Sequence, residues 1–152
     1  MIIRPALTGD CQQIANLRAA LWPEGSAAEH AHDLEQILSG EWSKIYPYVV
    51  FAAEADGGEI IGFADVTLRA RADGCDPTRA VGYLEGWYVS DRYRRRGVGA
   101  ALLAAAEAWV MAQGCSEIAS DTWMTNEGSQ RAHEALGFEM VDRVVTYRKS
   151  LT

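Results

Sequence analysis

Cysteine is scarce: Cys11, Cys75 and Cys115 are the only three in 152 residues, and they are widely spaced with no CxxC pair. That excludes a disulfide-stapled scaffold and a zinc site built on paired cysteines, so no metal is expected. Long apolar runs are lacking too. Nothing approaches the ~18 residues of a membrane-spanning helix, and the opening MIIRPALTGD has no basic flank followed by an apolar stretch, as a secretion signal would. A cytoplasmic protein with no membrane partner is expected. With four prolines and no low-complexity tract, no linker is visible, and the length predicts a single domain over residues 1–152. Basic residues are the minority charge, 14 Lys and Arg against 21 Asp and Glu, for a formal charge of -7. This balance opposes nucleic acid as a partner and favours cationic ligands if the acids gather around a cleft. Acidity for solubility alone is the plainer reading.

What is present is an ordinary globular pattern, 49% apolar and 23% charged, enough for a full core. MIIRPA predicts a short strand, and Asp10 a helix N-cap before Ile14, Leu17, Arg18, Leu21 and Trp22 at helical spacing. A second helix is predicted from Ser26 as cap to Gly40 as stop. Two apolar β-rich runs around Asp56, Gly57 and Gly58 read as a hairpin in a sheet covered on both faces. Residues 71–80 read as a loop, and VGYLEGWYVS as a strand interrupted by Glu85 and Gly86. GVGAALLAAAEAWVMAQG predicts the longest helix, ended by Gly114, followed by strand SEIASDTW and helix NEGSQRAHEALG. FEMVDRVVTYRKSL is expected to form two final strands or one bent one. Strand, helix, strand after residue 80 implies a parallel pair in a mixed sheet.

One stretch departs from the acidic background: DRYRRRGVGAALL places Arg92, Arg94, Arg95 and Arg96 directly before Gly97 and Gly99. A strand end, a glycine turn and a helix start aim unpaired backbone N–H groups at one point, which suits a phosphate. The arginines can add charge-assisted contacts. There is no GK[ST] Walker loop and no GxGxxG with an acid ~20 residues on. A solvated basic turn is the bland alternative.

RRRGVG, residues 94–99, resembles the Q/R-x-x-G-x-G/A pyrophosphate signature of the GNAT superfamily of acetyl-CoA-dependent N-acetyltransferases. NEGSQRAHEALGF is similar to that family's second signature helix and the strand after it. Within the superfamily, LRAALWP, IGFADVTLR, GCD, YLEGWYV, ASDT, HEALGFE and RVVTYRKS are most similar, in order and spacing, to the aminoglycoside 6'-N-acetyltransferases. The resemblance implies an α/β (α+β) GNAT fold: a mixed, mostly antiparallel sheet of about seven strands splayed at strands 4 and 5, with about four helices. It also implies acetyl-CoA as co-substrate, a cationic aminoglycoside as acceptor and a homodimer.

Acetyl transfer to an amine needs a held thioester, a neutral amine and somewhere for the thiolate's charge to go. The resemblance implies that the backbone of Trp87, Tyr88 and Val89 pairs with the pantetheine arm as a surrogate strand. It places the pyrophosphate on the amides from Arg95 through Arg96, Gly97, Val98 and Gly99 to Ala100, with Arg94 beside them, and Asn126 and Ser129 on the rest of the cofactor. Glu85, inside an apolar strand, faces either solvent or the cleft, and Asp121 either positions the amine or caps the next helix; family similarity tips both toward substrate. Asp142 joins them from the resemblance, with Trp22 either a flat wall for a sugar ring or simple helix-end packing. Asp65, Asp73, Asp76 and Glu24 are further acids for the negative surface. Many GNAT enzymes have a tyrosine acid where this chain has His133, and Tyr147 is a second donor; a thiol pKa of ~8.5 also permits departure with little help. The loop RADGCDP lacks the aromatic residue that related enzymes set against the antibiotic. Rival functions are acetylation of a polyamine or a protein N-terminus, and a non-catalytic acyl-CoA-binding regulator.

Overall fold

The computed structural model describes residues 1–42 and 47–152. Its elements are β1 (Ile2–Pro5), α1 (Cys11–Leu21), α2 (Ala27–Leu38), β2 (Tyr48–Glu54), β3 (Ile60–Arg69), β4 (Val81–Val89), α3 (Val98–Ala112), β5 (Ile118–Ser120) and α4 (Glu127–Ala135). Local chemistry explains most boundaries. Ser26 and Glu29 form a reciprocal capping box at the start of α2. Asp10 occupies the cap position of α1 without capping it, because its carboxylate is taken by Arg4 and by the Leu7 N–H. The 55–59 turn closes as a hairpin, with Ala55 N–H donating to the Glu59 carbonyl.

The strands run in the order β1-β2-β3-β4-β5, antiparallel except for the parallel β4–β5 pair. Alternation splits β2 cleanly: Val50 and Ala52 pack with Ile14, Leu34 and Ile37 of α1 and α2, while Phe51 and Ala53 pack with Leu102, Ala106 and Val110 of α3. Helices cover both faces, which is why β2 and β3 are nearly all apolar in sequence.

Among the described residues, the expected strands, about seven, are five. Residues 139–152 carry no strand: Val144 is 61%, Val145 73%, Tyr147 92% and Leu151 88% exposed. The alternation of VVTYRKSL satisfies a strand pattern, but a strand exists only where a neighbour's backbone completes the ladder. Among the described residues no helix is long and apolar enough to cross a membrane.

Candidate functional site

The site begins at an irregularity in β4. Pairing with β3 passes from Asp65↔Gly86 directly to Val66↔Leu84, so Glu85 is the extra residue of a bulge. A Cβ at Gly86 would sit 2.4 Å from Cη2 of Trp22, so only glycine admits the indole that α1 delivers there. Trp22 packs 6.1 Å from Phe63 between ring centroids, and it also walls a groove of about 650 Å³ with Glu24, Glu29, His30 and Asp33. Trp22 is therefore packed at the helix end and also borders open space. Gly86→Ala should push Trp22 off the bulge and cost about 1–3 kcal/mol, which thermal unfolding checks.

Glu85 faces other side chains rather than open solvent. Its Oε1 accepts from Thr67 Oγ1 at 2.6 Å and from Arg69 Nε at 3.0 Å, and its Oε2 accepts from Arg69 Nη2 at 2.7 Å. The Arg69 guanidinium lies 3.4 Å from the centroid of the Tyr83 ring, and Tyr83 Oη donates to Asp121 Oδ2 at 3.0 Å. Burial, and then Asp121, push the Tyr83 phenol up to about 12, so it remains a donor at neutral pH. Burial opposes the charge on Arg69, but Glu85, Tyr83 and Asp121 outweigh it and hold the guanidinium above its ordinary value. The structure thus joins Glu85 to Asp121 through Arg69 and Tyr83, neither of which stands out in the sequence. The available signal was strand alternation, which puts Asp65, Thr67 and Arg69 on one face of β3.

Asp121 does not cap α4. That task falls to Asn126, whose Oδ1 accepts from Ser129 N–H at 3.1 Å. Asp65 is no surface acid: it is 0% exposed and accepts from Arg18 Nη2 at 2.6 Å. Burial pushes its carboxyl up to about 6 against the pull of Arg18, and Arg18 in turn lies 5.7 Å from the Trp22 ring. Of the other acids, Asp73 lines a groove with Arg69 and Tyr83, Glu24 lines the Trp22 groove, and Asp76 is exposed and accepts from the N–H and hydroxyl of Thr78.

β5 pairs with β4 only at Gly82↔Ile118, Tyr83↔Ala119 and Leu84↔Ser120. Beyond Leu84 that edge of β4, through Trp87, Tyr88 and Val89, has no strand beside it, as a splay requires. An extended amide chain laid there would find backbone partners. At the far end of β4 the chain turns through Arg95 at φ 57° and Gly97 at φ 79° before α3 starts at Val98. With one residue between these two left-handed positions, the turn runs into the N-terminus of α3, whose first amides, at Val98, Gly99 and Ala100, have no intrahelical acceptor, an arrangement suited to an anion. The side chains are largely occupied elsewhere. Arg92 pairs with Glu59, and Arg94 Nε donates to the Val89 carbonyl at 2.9 Å and its guanidinium pairs with Asp91. Arg96 lies 5.8 Å from the Tyr93 ring. Gly99 has a different reason from the one the motif suggests: a Cβ there would lie 3.0 Å from Trp87 Cζ2, and Trp87 Nε1 donates to the Gly99 carbonyl at 3.1 Å.

His133 sits in the same splay from the α4 side, edge-on to Trp87 at 5.3 Å between ring centroids. Nδ1 is 2.7 Å from the Ser129 carbonyl, which can only accept, and 3.3 Å from Ser129 Oγ, which can donate; the shorter contact favours a proton on Nδ1. Nε2 is 2.9 Å from Ser120 Oγ, which also lies 3.2 Å from the Leu84 carbonyl. A neutral ring would accept at Nε2 from Ser120, and an imidazolium would donate to it while Ser120 donates to Leu84. Ser120, too, was missed in the sequence. Asp142 and Tyr147 are not brought into this network; both lie in the exposed tail, Asp142 accepting from the N–H of Arg143. Among the described residues, no group of three or more His, Cys, Asp or Glu side chains is placed to hold a metal ion.

Residues 11–138 match the acetyltransferase (GNAT) family. The chain is 43% identical over 150 residues to aminoglycoside N(6')-acetyltransferase type 1 of Klebsiella aerogenes, covering 99% of this chain and 97% of that one. Among solved structures, AAC(6')-Iy in complex with the bisubstrate analogue CoA-S-monomethyl-acetylneamine superimposes with a TM-score of 0.86 at 40% identity, over 98% and 97% of the two chains. The apo 6'-N-acetyltransferase AAC(6')-IG of Acinetobacter haemolyticus gives a TM-score of 0.87 at 32% identity over the full length of both. The chain belongs to the acetyltransferase (GNAT) family.

Proposed function

We propose that the protein transfers the acetyl group of acetyl-CoA to the 6'-amine of aminoglycosides, by direct attack in a ternary complex. The observation that carries this reading is the splay between β4 and β5, with an anion-suited turn at one end and the Glu85–Arg69–Tyr83–Asp121 network at the other. One end suits a pyrophosphate and the other a cationic amine, and the splay between them supplies strand edge for the amides of a pantetheine arm. The relatives that carry this activity in their names match the chain over nearly its whole length.

In this reading, the backbone of Trp87, Tyr88 and Val89 pairs with the pantetheine, and the amides from Arg95 to Ala100 hold the pyrophosphate, aided by the Arg94, Arg95 and Arg96 side chains. Asn126 and Ser129 flank the cofactor. Glu85 and Asp121 orient the ammonium, and Glu85 accepts its proton through water before attack. The amine nitrogen then bonds to the thioester carbonyl, the tetrahedral intermediate gives up its second N–H proton to water, and its collapse to the neutral amide breaks the carbon–sulfur bond. His133 Nε2 with Ser120 Oγ returns a proton to the departing thiolate. Trp22 backs the sugar, and Asp142 adds negative charge from the tail. The protein acts in the cytoplasm as a homodimer. Support for the dimer is the exposure of the apolar tail residues Val144, Val145, Tyr147 and Leu151, which a second copy would cover.

Incubating protein, acetyl-CoA and tobramycin or kanamycin with a thiol reagent tests the activity. CoA release well above the amine-free background is expected. Release with spermidine or an N-terminal peptide but with neither aminoglycoside would reassign the acceptor, and tight CoA binding with no turnover of any amine would make the protein a regulator.

A further inference from the structure

Of the two carboxylates offered to a substrate ammonium, Glu85 is already served by a cation of the chain itself and Asp121 by the neutral Tyr83 hydroxyl. Arg69 closes on both oxygens of Glu85, at 3.0 and 2.7 Å, and rests 3.4 Å above the centre of the Tyr83 ring, whose hydroxyl donates to Asp121. We propose that Arg69 is a resident cation that fills the amine subsite until substrate displaces it, and so sets the preference for multiply charged amines. The proposal rests on the reading of Glu85 and Asp121 as the amine site.

Three observations favour displacement over permanent anchorage. The Arg69 side chain is 43% exposed and that of Glu85 26%, and a pair so open to water is weakly held, because solvent screens it and fixing the long side chain costs entropy. Arg69 is the last residue of β3, and its side chain borders a groove of about 390 Å³ shared with Asp73, Gly74 and Pro77, so the guanidinium has somewhere to go and a second carboxylate to meet. Thr67 also holds Glu85, at 2.6 Å, so the carboxylate keeps its orientation when Arg69 leaves. The consequence is a threshold. A monoamine must replace one cation with another for little gain, whereas a polyamine can place further ammonium groups near Glu24, Glu29 and Asp33 in the Trp22 groove and offset the exchange.

The test is calorimetric titration of wild type, Arg69→Ala and Arg69→Lys, each saturated with CoA, using tobramycin as polycation and 6-amino-6-deoxyglucose as monoamine, with steady-state kinetics alongside. Arg69→Ala should tighten tobramycin binding about two- to fivefold, the factor corresponding to a weak exposed pair. It should tighten the monoamine at least as much, narrowing the preference between the two. Arg69→Lys, lacking the bidentate fork, should fall between. Unchanged acetyl-CoA affinity and thermal midpoint confirm that the variants are folded. Weaker tobramycin binding with a lower kcat in Arg69→Ala would overturn the proposal and make Arg69 a positioning residue for Glu85; unchanged binding, or no heat with any variant, would also overturn it. Absence of CoA release by wild type, with tobramycin still binding more tightly to Arg69→Ala, would instead overturn the assigned reaction and leave the displaced cation standing.

Discussion

Asp65→Ala should destabilise the fold by about 3–5 kcal/mol, because it leaves the Arg18 guanidinium buried without its counter-charge. Arg18 is 4% exposed and Asp65 0%, and their contact is 2.6 Å. Arg18 Nε and Asp65 Oδ1 have no partner among the described residues, and the other hydrogen bond of Arg18, from Nη2 to Tyr48 Oη at 3.4 Å, reaches a neutral hydroxyl that cannot balance the orphaned charge. For a chain of this length the loss corresponds to a fall in Tm of roughly 6–20 °C. The comparison that isolates the cause is Arg18→Met with Asp65→Leu, which removes both charges and should recover most of the loss. A change under about 2 °C for Asp65→Ala in a thermal melt would show that the pair is not closed to water. Activity should fall too in the single variant, since Arg18 lies against Trp22 and Trp22 against Gly86 at the bulge.

Glu85→Gln should lower kcat by about 10²-fold or more, the usual worth of a positioned proton acceptor, while leaving acetyl-CoA affinity unchanged. Glutamine keeps the shape and still accepts from Thr67 but loses the charge and the bidentate grip on Arg69. The pair it gives up is partly exposed, so stability should move by less than about 1 kcal/mol. Cofactor affinity is the discriminating measurement, because the backbone edge of β4 and the amides at the start of α3 do not use the Glu85 side chain. Parallel loss of kcat and of acetyl-CoA binding would mean that Glu85 shapes the bulge rather than the chemistry.

Much of the framework was legible in the residues. Ser26 with Glu29, the Asp56-Gly57-Gly58 turn, the glycine stops at 40 and 114 and the alanine-rich run of α3 act through contacts within a few residues, so their effect is written locally. The reading of Glu85 and Gly86 as an interruption of a strand also survives, as the bulge of β4. The site was half legible. Glu85, Asp121 and His133 can be picked out as polar residues in an apolar strand or inside a motif. Their actual partners Arg69, Tyr83 and Ser120 come from strands or positions where the local pattern gives no reason to choose them.

The sequence by itself determined the order of elements up to α4, the covered sheet, the basic glycine loop at the head of α3 and the family. These depend on periodicity, turn chemistry and backbone geometry over a few residues. Tertiary structure alone decided that Asp65 is sealed against Arg18, that Arg69 occupies Glu85, that Gly99 makes room for Trp87, and that the last 14 residues, 139–152, run free of the sheet. Each of these depends on which distant group arrives alongside, and pairing of charges, close packing and strand addition all require that second partner before the energy of the first can be known.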